Sequence, residues 1–547
     1  MSAGHQAKRP EDIRVILQDI NDPPARMPWP PTPEGLLSAS IDPIRDSGID
    51  VYAYGIHHAG GCTHGSSVYQ IVGDNEAFLH ESAGLHVNEG VKRLVEQGND
   101  PLKVMCEGAH AAGKDFFLRM RLNDLHDRVG QHANLAAPTR KPKTGFMEPV
   151  HYTPKWKKDH PEWLIGDARA VPSHLSFEAV EANAPNYVYA PVRELMFALA
   201  AEVVRGYDID GFEIDFMRFP FFFPRGRAWA HRHVMTAFVR KLRRMIDEEA
   251  SRRGRPIIFS ARFPDTVELC ARIGVDVRTL LAEGLLDMCV ISGGYMPFSI
   301  PWEDIVSLAG EHGVPALACL NHGRVTRWNW TRTQTGLHPE PTPQQNLEQI
   351  RAAAHRAYQK GASGIELWNF FYEMPHYYSP EQKEGTHRLG YGFTHELADP
   401  EGLAGRRKAY LFDYEMGERW AHACWCAQGP LMIATADDGI GQTVTFDIAD
   451  DLDGFPDASA ELWINIVDLF AEDVIEFEWN GRSLPPREEP YMGLTVYSNR
   501  EFRFDLPADW VKRGNNEFTV YLRERSPRLE AYVTLNFVRL TIDPGGA

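Results

Sequence analysis

The chain has 547 residues, 43% of them hydrophobic, and a formal net charge of -18 at pH 7. That length exceeds one ordinary domain and accommodates a large α/β barrel plus one further module. The negative balance argues against nucleic acid or an anionic membrane surface as principal partner, because both reward clustered Lys and Arg. The stretch from Met1 to Asp12 is polar, and nowhere does a long uncharged apolar run occur, so a soluble, cytoplasmic protein is expected. Secretion is left open for a chain whose export signal has been trimmed, and homo-oligomerisation is left open as well. Seven cysteines stand at scattered spacings, with Cys424 and Cys426 too close for an ordinary bridge and no Cys-x-x-Cys motif, which predicts reduced thiols.

Up to about residue 370 the pattern alternates strand and helix. Eight strands are predicted: Arg14 to Ile20, Asp50 to His57, Asp115 to Leu122, Ile209 to Phe216, Pro256 to Arg262, Leu286 to Ser292, Pro315 to Leu320 and Gly364 to Trp368. Helical patterns lie between them, among them Val192 to Arg205, Ala228 to Ser251 and Pro343 to Lys360. Eight such units close a (β/α)8 TIM barrel. The competing open, doubly wound sheet lacks a Gly-rich phosphate fingerprint after its first strand. From about Arg406 the segments become short and alternating, from Thr443 to Ile448 through Tyr532 to Ile542, with turn signals such as Asn480-Gly481 between them. That pattern predicts an all-β sandwich. The expected division is a barrel over 1–405 and a β-sandwich over 406–547.

Within the barrel, Ile209-Asp-Gly-Phe-Glu-Ile-Asp-Phe-Met-Arg-Phe-Pro220 is the most informative stretch. Side chains alternate along a strand, so Phe212, Ile214 and Phe216 face the helices while Glu213 and Asp215 point inward. Buried carboxylates are costly unless paired, hydrated or used. Catalytic groups of such barrels sit at the C-terminal ends of the strands, which places Asp215 at the rim. By the same alternation the third strand turns Arg119 and Arg121 inward, the fifth ends at Arg262 with Asp265 just beyond, and the sixth runs into Tyr295. The seventh ends in Asn321 and His322, and the eighth aims Glu366 and Trp368 inward. Arg218 follows strand four. Structural ion pairs inside the barrel are an equal reading for Arg119, Glu213 and Glu366.

His57, His58 and His64 have no carboxylate at metal-site spacing, so His57 is read as a substrate hydrogen-bonding or loop residue, with no metal and no cofactor. Trp328 and Trp330 in a polar loop are the best sugar-stacking candidates. The phenylalanines after Phe219 read as loop packing.

Two resemblances follow from these segments. Ile475-Glu-Phe-Glu-Trp-Asn-Gly-Arg-Ser-Leu484 and Lys512-Arg-Gly-Asn-Asn-Glu-Phe-Thr-Val520 resemble segments of galactose-binding-like jelly rolls, a likeness covering most of Gln442 to Asp543. Asp210-Gly-Phe-Glu-Ile-Asp-Phe-Met-Arg-Phe-Pro220 resembles the Asp-Gly-Ile-x-x-Asp-Asp-Tyr strand of glycosyl-hydrolase-like barrels, and more distantly the Gly-Phe-x-x-Asp strand of alpha-amylase-type and alpha-galactosidase-type enzymes. In the last two groups the final Asp is the nucleophile, which maps onto Asp215. The pattern departs at Phe216, where the first group has a second Asp, and at Glu213, where amylases have Arg.

The resemblance implies a glycoside hydrolase working with two carboxyl groups on a carbohydrate substrate, with Asp215 as nucleophile or charge stabiliser. Glu366 leads as proton donor, followed by Asp265 and Glu373, and Glu213 holds an arginine or a sugar hydroxyl. The inward arginines suit an acidic sugar unit. The alternatives are a sugar-acid lyase or isomerase and a non-catalytic carbohydrate-binding protein.

Overall fold

The computed structural model describes residues 5–19, 27–58, 61–72, 74, 86–125, 154–167, 170–171, 176–325, 343–370, 389–413, 423–429, 431–434, 440–485, 488–489, 499–525 and 532–545. Eight strands form the first unit: β1 (Val15–Asp19), β2 (Val51–Gly55), β3 (Asp115–Arg121), β4 (Gly211–Asp215), β5 (Ile258–Phe263), β6 (Met288–Ile291), β7 (Ala316–Asn321) and β8 (Gly364–Trp368). Each pairs in parallel with its sequence neighbour, and β1 pairs with β8, so the sheet closes on itself. This is the expected (β/α)8 barrel. Strands β2 through β8 are buried at every position, as parallel strands must be when helices cover the outer face and side chains fill the interior.

Local signals in the chain set the helix ends. The helix α1 (Pro101–Ala111) starts with proline, whose missing N–H is no loss there, and the Asp100 carboxylate accepts from the Leu102 and Lys103 amides. The helices α2 (Ala190–Gly206), α3 (Arg232–Arg253) and α4 (Pro343–Gln359) occupy the three helical patterns named above. Helix α3 stops at Gly254, which takes a left-handed φ of 70°. Among the described residues, no helix is long and apolar enough to cross a membrane.

The second unit contains two antiparallel sheets. One is built from β9 (Lys408–Leu411), β10 (Leu431–Ile433), β12 (Ser459–Val467), β15 (Glu488–Glu489), β16 (Asn499–Leu506) and β18 (Val533–Asp543). The other holds β11 (Gln442–Ile448), β13 (Val474–Trp479), β14 (Arg482–Leu484) and β17 (Gly514–Glu524). Asn480 and Gly481 both take positive φ, 51° and 73°, and turn β13 into β14 as their sequence predicts. The sheets face each other: Phe477 of β13 meets Phe502 and Phe504 of β16 edge-on, with ring centroids 4.9 and 5.7 Å apart. Helix α4 ties this unit to the barrel. Glu348 pairs with Arg407 at 2.9 Å and Arg539 at 2.5 Å, and Arg356 and Lys360 both reach Asp447.

Candidate active site

Strand register decides which inward side chains meet. Arg119, Glu213 and Ser260 lie side by side on β3, β4 and β5, and two residues nearer the C-terminal mouth Arg121, Asp215 and Arg262 form the next row. In the deeper row, Arg119 Nε lies 2.5 Å from Glu213 Oε1, and its Nη2 donates to Glu366 from across the barrel. Ser260 Oγ donates to Glu213 at 3.1 Å. Burial raises Glu213 to about 7, with Arg119 opposing the shift and Glu366 adding to it. One arginine thus serves two carboxyl groups in a buried layer.

In the upper row, Arg262 holds Asp215 with two hydrogen bonds, Nη2 to Oδ2 at 2.6 Å and Nε to Oδ1 at 3.1 Å. The Met217 and Arg218 amides donate to the same Oδ1 at 2.8 and 3.0 Å. Burial works to raise this carboxyl, but the Arg262 and Arg119 charges and the hydrogen bonds from Arg262 outweigh it and hold Asp215 at about 2. Asp215 is therefore a fixed anion at neutral pH. Asp215 stands at the C-terminal end of its strand and is 0% exposed. Its oxygens are held by Arg262 and by the turn that follows β4.

Aromatic and cationic groups surround the pair. The Arg262 guanidinium carbon lies 4.2 Å from the Trp368 ring centre, and that of Arg218 lies 5.7 Å from the same ring and 4.7 Å from Phe219. Tyr295 meets Trp368 edge-on at 5.1 Å. Arg121 bonds Asp124 at 2.8 Å, and its carbonyl oxygen contacts His57 Nε2 at 2.8 Å. Burial lowers His57 to about 4, so the imidazole is neutral at pH 7. Arg218 is half-buried, whereas Asp215, Arg121, Arg262, Tyr295 and Trp368 are buried.

Asp265, just past β5, lies in a different setting. Burial raises it to about 6, opposed by the hydrogen bond from the Trp425 amide, at 2.5 Å, and by the nearby Ser292 hydroxyl. Its Oδ1 has no hydrogen-bond partner among the described residues. Asn321 and His322 are buried at the end of β7, where the His322 ring meets Phe370 edge-on at 5.0 Å. Trp328, Trp330 and Glu373 lie outside the described residues.

Backbone strain gathers at this mouth. Phe219 after β4, Ser292 after β6 and Asn369 after β8 are non-glycine residues with φ of 51°, 81° and 62°. Residue-type patterns missed Ser292, Trp425 and Cys319, whose Sγ lies 3.8 Å from Arg262 Nη1. None has a motif of its own. Cys319 and Ser292 could have been found from sequence, by carrying inward alternation along β7 from Asn321 and along β6 from Met288 and Val290.

No family model matches the chain, and no curated protein matches it. Solved structures similar to it include a chitinase from Chromobacterium violaceum ATCC 12472, with 12% identity over 72% of this chain and 100% of that one, at a TM-score of 0.31. Alpha-L-fucosidase isoenzyme 2 from Paenibacillus thiaminolyticus has 13% identity over 73% of this chain and 49% of that one, at 0.38. An alpha-amylase from Geobacillus thermoleovorans, complexed with acarbose, has 12% identity over 95% of this chain and 100% of that one, at 0.36. Values this low carry no residue-to-residue correspondence, and the barrel assignment rests on strand order and register.

Proposed function

We propose that the chain is a glycoside hydrolase whose two working carboxyl groups are Asp215 and Asp265. The observation that supports this reading is their opposite displacement: Asp215 is held at about 2 and Asp265 is raised to about 6, each at the C-terminal end of one of two neighbouring strands. Glycoside cleavage requires an anion and a carboxyl that keeps its proton to higher pH, one stabilising the cationic transition state and the other protonating the leaving oxygen. Asp265 takes the donor role here in preference to Glu366, which is tied to Arg119 in the deeper layer. Arg218, a half-buried cation over Trp368, is the group that meets an acidic sugar unit.

A non-catalytic carbohydrate-binding protein is the second reading, supported by the saturation of Asp215, which accepts four hydrogen bonds and is wholly covered. A panel of aryl glycosides and natural oligosaccharides, including uronate-containing ones, separates the two. On the hydrolase reading wild type releases product, Asp215→Asn and Asp265→Asn do not, and NMR of the product anomer gives the stereochemistry. Calorimetric binding of an oligosaccharide without release from any substrate establishes the second reading.

A further inference from the structure

At the opposite end of the barrel, beneath the N-terminal ends of β3 and β4, a group of imidazoles and carboxylates plays no part in the chemistry at the mouth. His5 precedes the first strand, His110 lies in the last turn of α1, Asp115 opens β3 and Asp210 immediately precedes β4. Both imidazoles turn Nε2 toward the same oxygen: His110 Nε2 is 2.7 Å and His5 Nε2 is 3.6 Å from Asp210 Oδ2. The donor atoms of His5, His110 and Asp210 all lie within 4.8 Å of one another. Asp115 Oδ1 is 2.9 Å from His5 Nε2.

We propose that these residues form a structural site for Zn2+, with His5, His110 and Asp210 as ligands and Asp115, which contacts His5 but stands outside that group of three, moving in as the fourth. A tetrahedral ion with bonds of about 2.0–2.1 Å spaces its neighbouring ligand atoms about 3.3 Å apart. The separations of 2.7, 2.9 and 3.6 Å bracket that value, while the His5 and His110 rings stack 4.2 Å apart at 14°, so one ring must turn for both nitrogens to face a single ion. Two imidazole nitrogens with two carboxylate oxygens suit Zn2+ or a similar transition ion, whereas Mg2+ and Ca2+ favour oxygen alone. The surroundings fix the ligands in the way metal sites do: the Phe116 amide donates to Asp210 Oδ2 and Arg255 to Asp210 Oδ1, each at 2.9 Å, while the Lys8 amide donates to Asp115 Oδ2 at 3.0 Å. Such an ion ties the segment before β1 to the floor of the barrel. The competing reading is a hydrogen-bonded His and Asp cluster that needs no ion.

The test uses full-length protein stripped with EDTA and then freed of chelator. ZnCl2 is titrated in by calorimetry, and melting is followed with and without one equivalent, in wild type, His5→Ala and His110→Asn. The expected result is one Zn2+ bound per chain, with a rise in Tm for wild type and none for His5→Ala. Both variants bind at least about tenfold more weakly, the loss that even an outer-shell partner can cause. His5→Ala alters a segment outside the secondary-structure elements, so its metal-free Tm reports that the fold is intact. Co2+ gives the visible absorption of a four-coordinate site in wild type alone. Absence of stoichiometric Zn2+ binding by wild type, or binding of equal strength by all three proteins, overturns the proposal. Neither outcome bears on hydrolysis at the mouth.

Discussion

Arg262 and Asp215 stand opposite each other in the register of β5 and β4 and meet through two hydrogen bonds, both residues fully buried. A buried ion pair adds little net stability over an apolar pair of the same shape, but loss of one partner leaves a charge with no compensation. Arg262→Met is therefore expected to cost about 3–5 kcal/mol. Equilibrium urea unfolding measures it, and a cost under about 1 kcal/mol, the range of an exposed pair, would show that solvent reaches the charges.

The same pairing changes what Asp215→Asn does. The sequence alone suggests loss of turnover with an undisturbed fold. With Arg262 left uncompensated, stability is expected to drop by about 3–5 kcal/mol as well. Circular dichroism at the assay temperature should still report a folded chain, and product release should fall to background. Retained hydrolysis would remove Asp215 from the chemistry.

Asp265 gives a pH-dependent signature. Its carboxyl is raised from 3.8 to about 6 by burial. A raised acid contributes its stability below the unfolded value and loses it as pH climbs through the folded value, so the contribution fades between roughly pH 4 and pH 6, by about 3 kcal/mol in all. Urea unfolding of wild type and Asp265→Asn across that range should give a difference that changes with pH. A constant difference would mean that Asp265 titrates normally.

Arg218 is the half-buried cation over Trp368. If an acidic sugar binds beside it, Arg218→Gln raises KM for uronate substrates by about tenfold or more, the size of a charged hydrogen bond, and leaves neutral substrates unaffected. Equal effects on both classes would assign Arg218 to packing.

Gly211 has a packing reason to be glycine. A Cβ built there falls 2.6 Å from Phe117 ring atoms on the facing strand. Gly211→Ala should destabilise by about 1–3 kcal/mol, as overpacking does, again read by urea unfolding.

The order of elements was legible in the residues. Alternation and turn chemistry act over a few neighbours, so the eight barrel strands and the main sandwich strands could be placed from the chain alone, and so could the inward turn of Arg119, Glu213, Asp215, Arg262 and Glu366. What each inward group does was decided by tertiary structure, because charge pairing is set by distance and exposure between strands remote in sequence. Glu366 meets Arg119 across 247 positions, Trp425 reaches Asp265 across 160, and His5 joins Asp115 across 110. The same residue types in the same order would permit other pairings, and only barrel closure, through its register and its low interior dielectric, makes Asp215 a fixed anion and leaves Asp265 holding its proton to higher pH.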